Sequence, residues 1–185
     1  GLSPYQTQRL GLAVDLGTTK IAAYLVALES GKTLAAAGAP NPQIGYGEDV
    51  ISRLNYARRR PDGGQLLARN VRQALNQILY DLVAQANVSS QQVAEAVVVG
   101  NTAMIHLLLH LPVTQLLRAP YVAAVSDALD VRAADIGLDI ASGAYVHIPP
   151  TIGGYVGSDH VAMILASDLD KSKTVSLGVD IGTNT

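Results

Sequence analysis

The chain has 185 residues, of which 49% are hydrophobic and 15% charged, with a formal net charge of −2 at pH 7 and no cysteine. This excludes an intrinsically disordered chain, a basic field for nucleic acid, and disulfides, thiolate metal sites or cysteine catalysis. No apolar run approaches the ~20 residues that span a bilayer, and the first ten residues lack the apolar core of a secretion signal; the expectation is a soluble, cytoplasmic protein without a membrane or nucleic-acid partner. Trp and Phe are absent, and the aliphatic remainder suits an α/β domain whose sheet is covered by helices.

In chain order, residues 10–16 read as a buried strand, Gly17-Thr18-Thr19 as a turn and residues 21–28 as a second strand. After a turn at Glu29-Ser30-Gly31-Lys32, residues 33–39 form a third, weaker strand, completing an antiparallel meander. Residues 41–47, with Pro42, Gly45 and Gly47, read as an irregular loop. Residues 48–59 carry Val50, Ile51, Leu54 and Ala57 at helical spacing, and Arg58-Arg59-Arg60 reads as the solvated end of that helix. Pro61-Asp62-Gly63-Gly64 breaks it. Residues 65–86 are the clearest helix, with Leu67, Val71, Leu75, Ile78 and Leu82 on one stripe.

Ser89 or Ser90 offers a cap before a buried strand at residues 93–99. Gly100-Asn101-Thr102 leads from that strand into a helix at 103–110, which Pro112 stops. Residues 119–125 read as extended, and 126–143 offer only short helical or turn pieces. A strand at 145–148 ends at Pro149 and Pro150. Gly153, Gly154 and Gly157 approach a helix at 158–167, and residues 174–181 read as a last strand. The order is βββαα-βα-βα and a lone β.

One motif occurs twice. Ala13-Val14-Asp15-Leu16-Gly17-Thr18-Thr19-Lys20 and Gly178-Val179-Asp180-Ile181-Gly182-Thr183-Asn184-Thr185 each place an Asp at the end of a hydrophobic strand, then Gly and Thr. An Asp there can face a hydrated Mg²⁺, Gly lets backbone N–H groups approach phosphate oxygens, and Thr hydroxyls and Lys20 add donors. A single copy reads better as a plain hairpin turn; duplication favours a phosphate site. Asp159 either complements a helix dipole or faces the cleft, contacting Mg²⁺ or placing the attacking water. Asn101 and Thr102 either cap a helix or contact the cleft. His106 and His110 lie four apart, but without a third ligand they read as structural.

The two copies resemble the phosphate-1 and phosphate-2 motifs of the superfamily that joins acetate and sugar kinases, heat-shock chaperones and actin. The resemblance implies a ribonuclease-H-like, actin-like ATPase lobe, a mixed sheet flanked by helices, over residues 1–173 including a hinge helix. Residues 174–185 would be the first strand and phosphate-2 turn of a second lobe. It implies ATP and Mg²⁺ between the hairpins. Asp15 and Asp180 would hold the metal through water, with Asp15, Asp159 and Asp180 as the catalytic carboxylates. Gly17, Thr18, Thr19, Lys20, Asn101, Gly182, Thr183 and Asn184 would contact the nucleotide.

Within that superfamily, four stretches are similar to ATPases that reductively activate corrinoid (vitamin B12-type) proteins. They are Asn41-Pro42-Gln43 with the Gly45-to-Arg53 run, Gly100-Asn101-Thr102-Ala103-Met104, Ala119-Pro120-Tyr121-Val122 and Gly153-Gly154-Tyr155-Val156-Gly157-Ser158-Asp159-His160. This implies an ATP-hydrolysing switch that drives reduction of a Co(II) corrinoid protein or corrinoid-dependent methyltransferase for methyl transfer. Its [2Fe–2S] cluster would sit in an upstream domain, since this chain has no cysteine. The rival readings are a small-molecule sugar or acyl kinase and a non-catalytic, nucleotide-dependent assembly module. Weak or no turnover is expected of this chain alone. Residues 41–49 are expected to line the cleft or contact the corrinoid partner, and the 174–181 strand to pack on the first lobe or pair with another copy as a homodimer.

Overall fold

The sheet begins as the alternation of the first forty residues dictates. In the computed structural model, which describes residues 8–180, β1 (Leu10–Leu16), β2 (Lys20–Ala27) and β3 (Thr33–Pro40) form the antiparallel meander, with Leu12 opposite Leu25 and Tyr24 opposite Ala36. Helices α1 (Val50–Arg59) and α2 (Gly63–Ala86) follow, then β4 (Val93–Val99) and α3 (Thr102–Leu109). The chain continues through β5 (Leu129–Arg132) and β6 (Tyr145–Ile148) to α4 (Ser158–Ala166). The strand order is β3-β2-β1-β4-β6-β5. β4 is parallel to both β1 and β6, and β5 is antiparallel to β6. This is an α/β fold on a mixed six-stranded sheet.

One sheet face supplies the core. Leu10, Leu12, Val14 and Leu16 of β1 are buried beside Ile21, Ala23 and Leu25 of β2, and they share a single apolar cluster with Leu67, Val71, Leu75, Ile78 and Leu82 of α2. The predicted stripe of α2 is therefore its buried face. α3 is buried nearly all round, as its run of apolar residues requires. Burying each such aliphatic side chain stabilises the fold by about 1.5–3 kcal/mol.

Five local expectations change. Residues 41–47 are not irregular: Pro42–Tyr46 forms a 3₁₀ helix, capped by the Asn41 side chain, which accepts from the Gln43 N–H at 2.9 Å. Proline at the first helical position has no N–H to leave unpaired. The break after α1 holds, but the following helix starts at Gly63 rather than at residue 65, because a Cβ on Gly63 would stand 2.7 Å from the Tyr56 carbonyl oxygen and only glycine lets α2 start against α1. Residues 126–143 contain β5, a strand whose alternation is half polar because it lies at the sheet edge. Residues 119–125 form no strand, and Tyr121 there has φ 59°. Finally, residues 174–180 run without regular structure. A strand exists by its ladder, and this stretch finds none among the described residues; Ile181 and the four residues after it lie outside them.

Candidate functional site

The C-terminal ends of β1 and β4 lie side by side, Asp15 paired with Val99, and the site grows from these two ends. The β1–β2 turn demands glycine: a Cβ on Gly17 would sit 2.5 Å from the Lys20 carbonyl oxygen. The turn is held from beneath by Asn41, a buried side chain whose Nδ2 donates to the Gly17 carbonyl at 2.9 Å while its backbone N–H donates to the Thr19 carbonyl. Residues 41–49 thus support the turn at their first residue, and Asp49 at their last accepts from the Ser52 N–H and caps α1. Thr18 and Thr19 remain half-buried at the turn and Lys20 exposed at the start of β2.

Asn101 joins the two ends. Its Oδ1 accepts from the Met104 N–H at 3.0 Å, capping α3, and its Nδ2 donates to Thr18 Oγ1 at 3.0 Å. The capping role and the contact with the hairpin turn reside in one side chain. Asn101→Ala is expected to cost about 1–2 kcal/mol, the value of a lost cap. Asn101→Asp should recover most of it while still lacking the donor to Thr18; urea denaturation of the two variants separates the roles.

α4 is fastened to the end of β4. Gly100 lies under Leu16, where a Cβ would meet the Leu16 carbonyl oxygen at 2.7 Å. The Ser158 N–H donates to the Gly100 carbonyl at 3.0 Å, and the buried Ser158 hydroxyl lies 3.2 Å from both the Gly100 N–H and its carbonyl. The next residue, Asp159, sits in the first turn of α4, where a carboxylate complements the dipole. Its Oδ1 accepts from the His160 N–H at 2.9 Å and lies 3.1 Å from His160 Nδ1.

The described end of the chain returns here. Gly178 packs against Leu169 and Met163, and Asp180 Oδ2 comes within 3.5 Å of His160 Nε2. Burial first, then the charges of the Asp159 and Asp180 carboxylates, hold the Asp15 carboxyl above the ordinary aspartate range, so the Asp residues of the two motif copies act on each other. None of the three carboxylates has a Lys or Arg ion-pair partner among the described residues. One ligand atom each from Asp159, His160 and Asp180 lie within 4.8 Å of one another, a spacing that suits a cation. His160 escaped selection as a site residue from sequence; the only signal was an Asp-His pair opening a helix behind a glycine-rich turn. Gly182, Thr183 and Asn184 lie outside the described residues.

His106 is structural. Its buried ring spends both nitrogens on backbone: Nε2 accepts from the Ala124 N–H at 2.9 Å, which puts the proton on Nδ1, facing the Thr102 carbonyl at 2.7 Å. Burial pushes its pKa down, so it stays neutral. His110 ends α3 in the left-handed conformation, φ 57°. Thr102 donates to the Gly153 carbonyl at 2.7 Å and faces no cleft. No helix among the described residues is long and apolar enough to cross a membrane.

The chain is thus an α/β protein on a mixed sheet, with a glycine turn and a capping Asn at the strand ends and Asp159 and Asp180 brought beside them. The family model of the RACo middle region matches residues 10–172, and the chain belongs to that family. The corrinoid activation enzyme RamQ of Eubacterium limosum is 33% identical over 174 residues, 94% of this chain and 29% of the relative. A solved structure titled reductive activator for corrinoid,iron-sulfur protein superposes with a TM-score of 0.91 at 33% identity, over 94% of this chain and 28% of that one. The chain spans less than a third of either relative.

Proposed function

We propose that this chain is the first half of an ATP clamp in an activator that drives reduction of Co(II) corrinoid proteins. The nucleotide part is supported by the duplicated turn and by the gathering of Asp159, His160 and Asp180 beside Asp15, whose carboxyl their charges help to hold above its ordinary range, with no Lys or Arg paired to the three carboxylates among the described residues. The corrinoid part rests on the names of two relatives, both activators of corrinoid proteins. In this reading residues 1–173 are a ribonuclease-H-like, actin-like lobe ending in the hinge helix α4, and 174–185 begin a second lobe. A [2Fe–2S] cluster would lie in a separate, upstream domain.

Asp15 and Asp180 would hold Mg²⁺ through its waters, and the Gly17-to-Thr19 turn, with Thr18 set by Asn101, would offer donors to phosphate oxygens. Magnesium bound there would neutralise phosphate charge during transfer to water. Asp159 fixes the His160 ring through Nδ1, placing an imidazole edge beside the carboxylates where an attacking water needs orientation. The α4 start, tied to Gly100, lets a change at the phosphates move the chain that follows. The protein is taken to work in the cytoplasm, where ATP and low-potential reductants are available.

The test uses the complete gene product, a corrinoid protein held as Co(II) and a low-potential electron donor. The Co(I) absorbance band is expected only with hydrolysable ATP, with phosphate released and no phosphorylated acceptor formed. A phosphorylated small molecule would make the protein a kinase instead. Nucleotide-dependent pelleting with negligible turnover would make it an assembly module.

A further inference from the structure

Arg53, in the first half of α1, is the largest fully buried side chain among the described residues. Its Nε donates to the Gly47 carbonyl at 2.8 Å, its Nη1 lies 3.5 Å from Met104 Sδ, and its Nη2 has no hydrogen-bond partner. No carboxylate pairs with it among the described residues. Asp49, the one acid that acts on it, lies beyond ion-pair range and spends its carboxylate on Ser52. Arginine keeps its proton in proteins, so the fold encloses a full positive charge.

A purely structural task does not call for that charge. Tying Gly47 to α1 needs a single neutral N–H donor, and a neutral side chain escapes the cost of desolvating an unpaired ion. The surroundings of the guanidinium show where its charge is felt. Met104, also fully buried, turns its sulfur to Arg53 on one side and to Asn41 Nδ2, at 3.7 Å, on the other. Asn41 Nδ2 is the group that holds the Gly17 carbonyl, and the Met104 N–H donates to Asn101, which sets Thr18. The guanidinium therefore stands behind the Gly17-to-Thr19 turn, with one thioether and one amide between them. Neither carries a charge, and both are buried, so the field crosses a medium that salt and water screen weakly. Lys20, exposed at the start of β2, has no such advantage.

We infer that Arg53 is a positioning residue for the anionic ligand of this turn: its enclosed charge draws phosphate onto the N–H groups of Gly17 to Thr19 without touching it. The inference rests on the nucleotide reading of the site and adds to it a residue remote from the ligand. On the order of 10 Å from the phosphates, at an effective dielectric constant of about 40, one such charge changes the affinity for a doubly charged magnesium nucleotide by about tenfold.

Two neutral substitutions with opposite structural defects test this in the complete gene product. Arg53→Gln sets an amide nitrogen where Nε stands, keeping the Gly47 bond and leaving a void. Arg53→Met fills the void and gives up the bond. Urea denaturation without nucleotide should therefore separate the two variants from each other. Their affinities for Mg-ATP, read by calorimetry, should nevertheless fall together, by about tenfold, and those for Mg-ADP, which has one negative charge fewer, by only about threefold. Either variant alone carries this comparison of the two nucleotides should the other fail to fold. Wild-type affinity for Mg-ATP in either variant would overturn the inference. Losses that follow each variant's stability, or that are equal for the two nucleotides, would overturn it too, since they mark a packing role. A wild-type protein that binds neither nucleotide would defeat the reading of the site itself, and this inference with it.

Discussion

Asp15→Asn is expected to make the protein more stable at neutral pH and, under the proposed function, to abolish ATP-dependent corrinoid reduction by the complete gene product. The wild-type carboxyl titrates above its ordinary value of 3.8 because burial, Asp159 and Asp180 all penalise its charge. The folded state therefore binds the Asp15 proton more tightly than the unfolded chain does. Stability falls as pH rises from 3.8 through the raised folded value, and stays at the lower level above it. Asparagine keeps the shape without the charge and removes this loss. The stability gap between variant and wild type should be absent below the unfolded pKa and fully open at neutral pH, as melting temperatures across a pH series would show. Saturating Mg²⁺ should narrow it by stabilising only the wild type. A variant less stable than the wild type at neutral pH would mean that the Asp15 charge is satisfied within the fold.

Gly157→Ala should be the most damaging small substitution. The added Cβ would meet the Gly100 carbonyl oxygen at 2.1 Å and the Asn101 Cα at 2.5 Å. Both are backbone atoms, so no side chain can swing away, and overpacking of this kind costs about 3 kcal/mol. The strain falls where Ser158 fastens α4 to Gly100 and where Asn101 reaches Thr18. Nucleotide affinity should fall together with stability in urea denaturation. Gly153→Ala is the control, four residues earlier in the same glycine-rich approach, with nothing within 4 Å of its Cβ. Equal tolerance of the two would show that the junction yields.

The elements that sequence made legible are those whose burial pattern is strong. β1, β2, the stripe of α2, β4 and α3 follow from the periods of Leu, Val, Ile and Ala that now form one core. β5 was hidden because an edge strand with Asp130 and Arg132 facing outward lacks that signal. The α2 start was hidden because Gly63 serves a close helix approach, which sequence cannot distinguish from a break. For 174–180, a strand-like alternation is a necessary feature but a partner strand is the sufficient one, and none is found among the described residues.

The site was legible as chemistry and only partly as geometry. Asp15, Gly17 and Asn101 stand out through the motif and its neighbours. Asn41, which holds the turn from beneath, read as part of a loop expected to line the cleft or contact the partner, since a buried polar support is visible only once the fold is closed. His160 became a candidate when α4 placed its ring between Asp159 and Asp180. Asn101 was framed as either cap or cleft contact, whereas a side-chain amide can do both with its two ends.

The central claim is that Asp15 and its partner across the duplicated turn hold a magnesium nucleotide. Calorimetric titration of ATP into the complete gene product, with and without Mg²⁺, tests it most directly. Binding that requires Mg²⁺ and weakens at least about tenfold, 1.4 kcal/mol or more, in Asp15→Asn is the predicted result. Binding of equal affinity in wild type and variant, or indifferent to Mg²⁺, would contradict it.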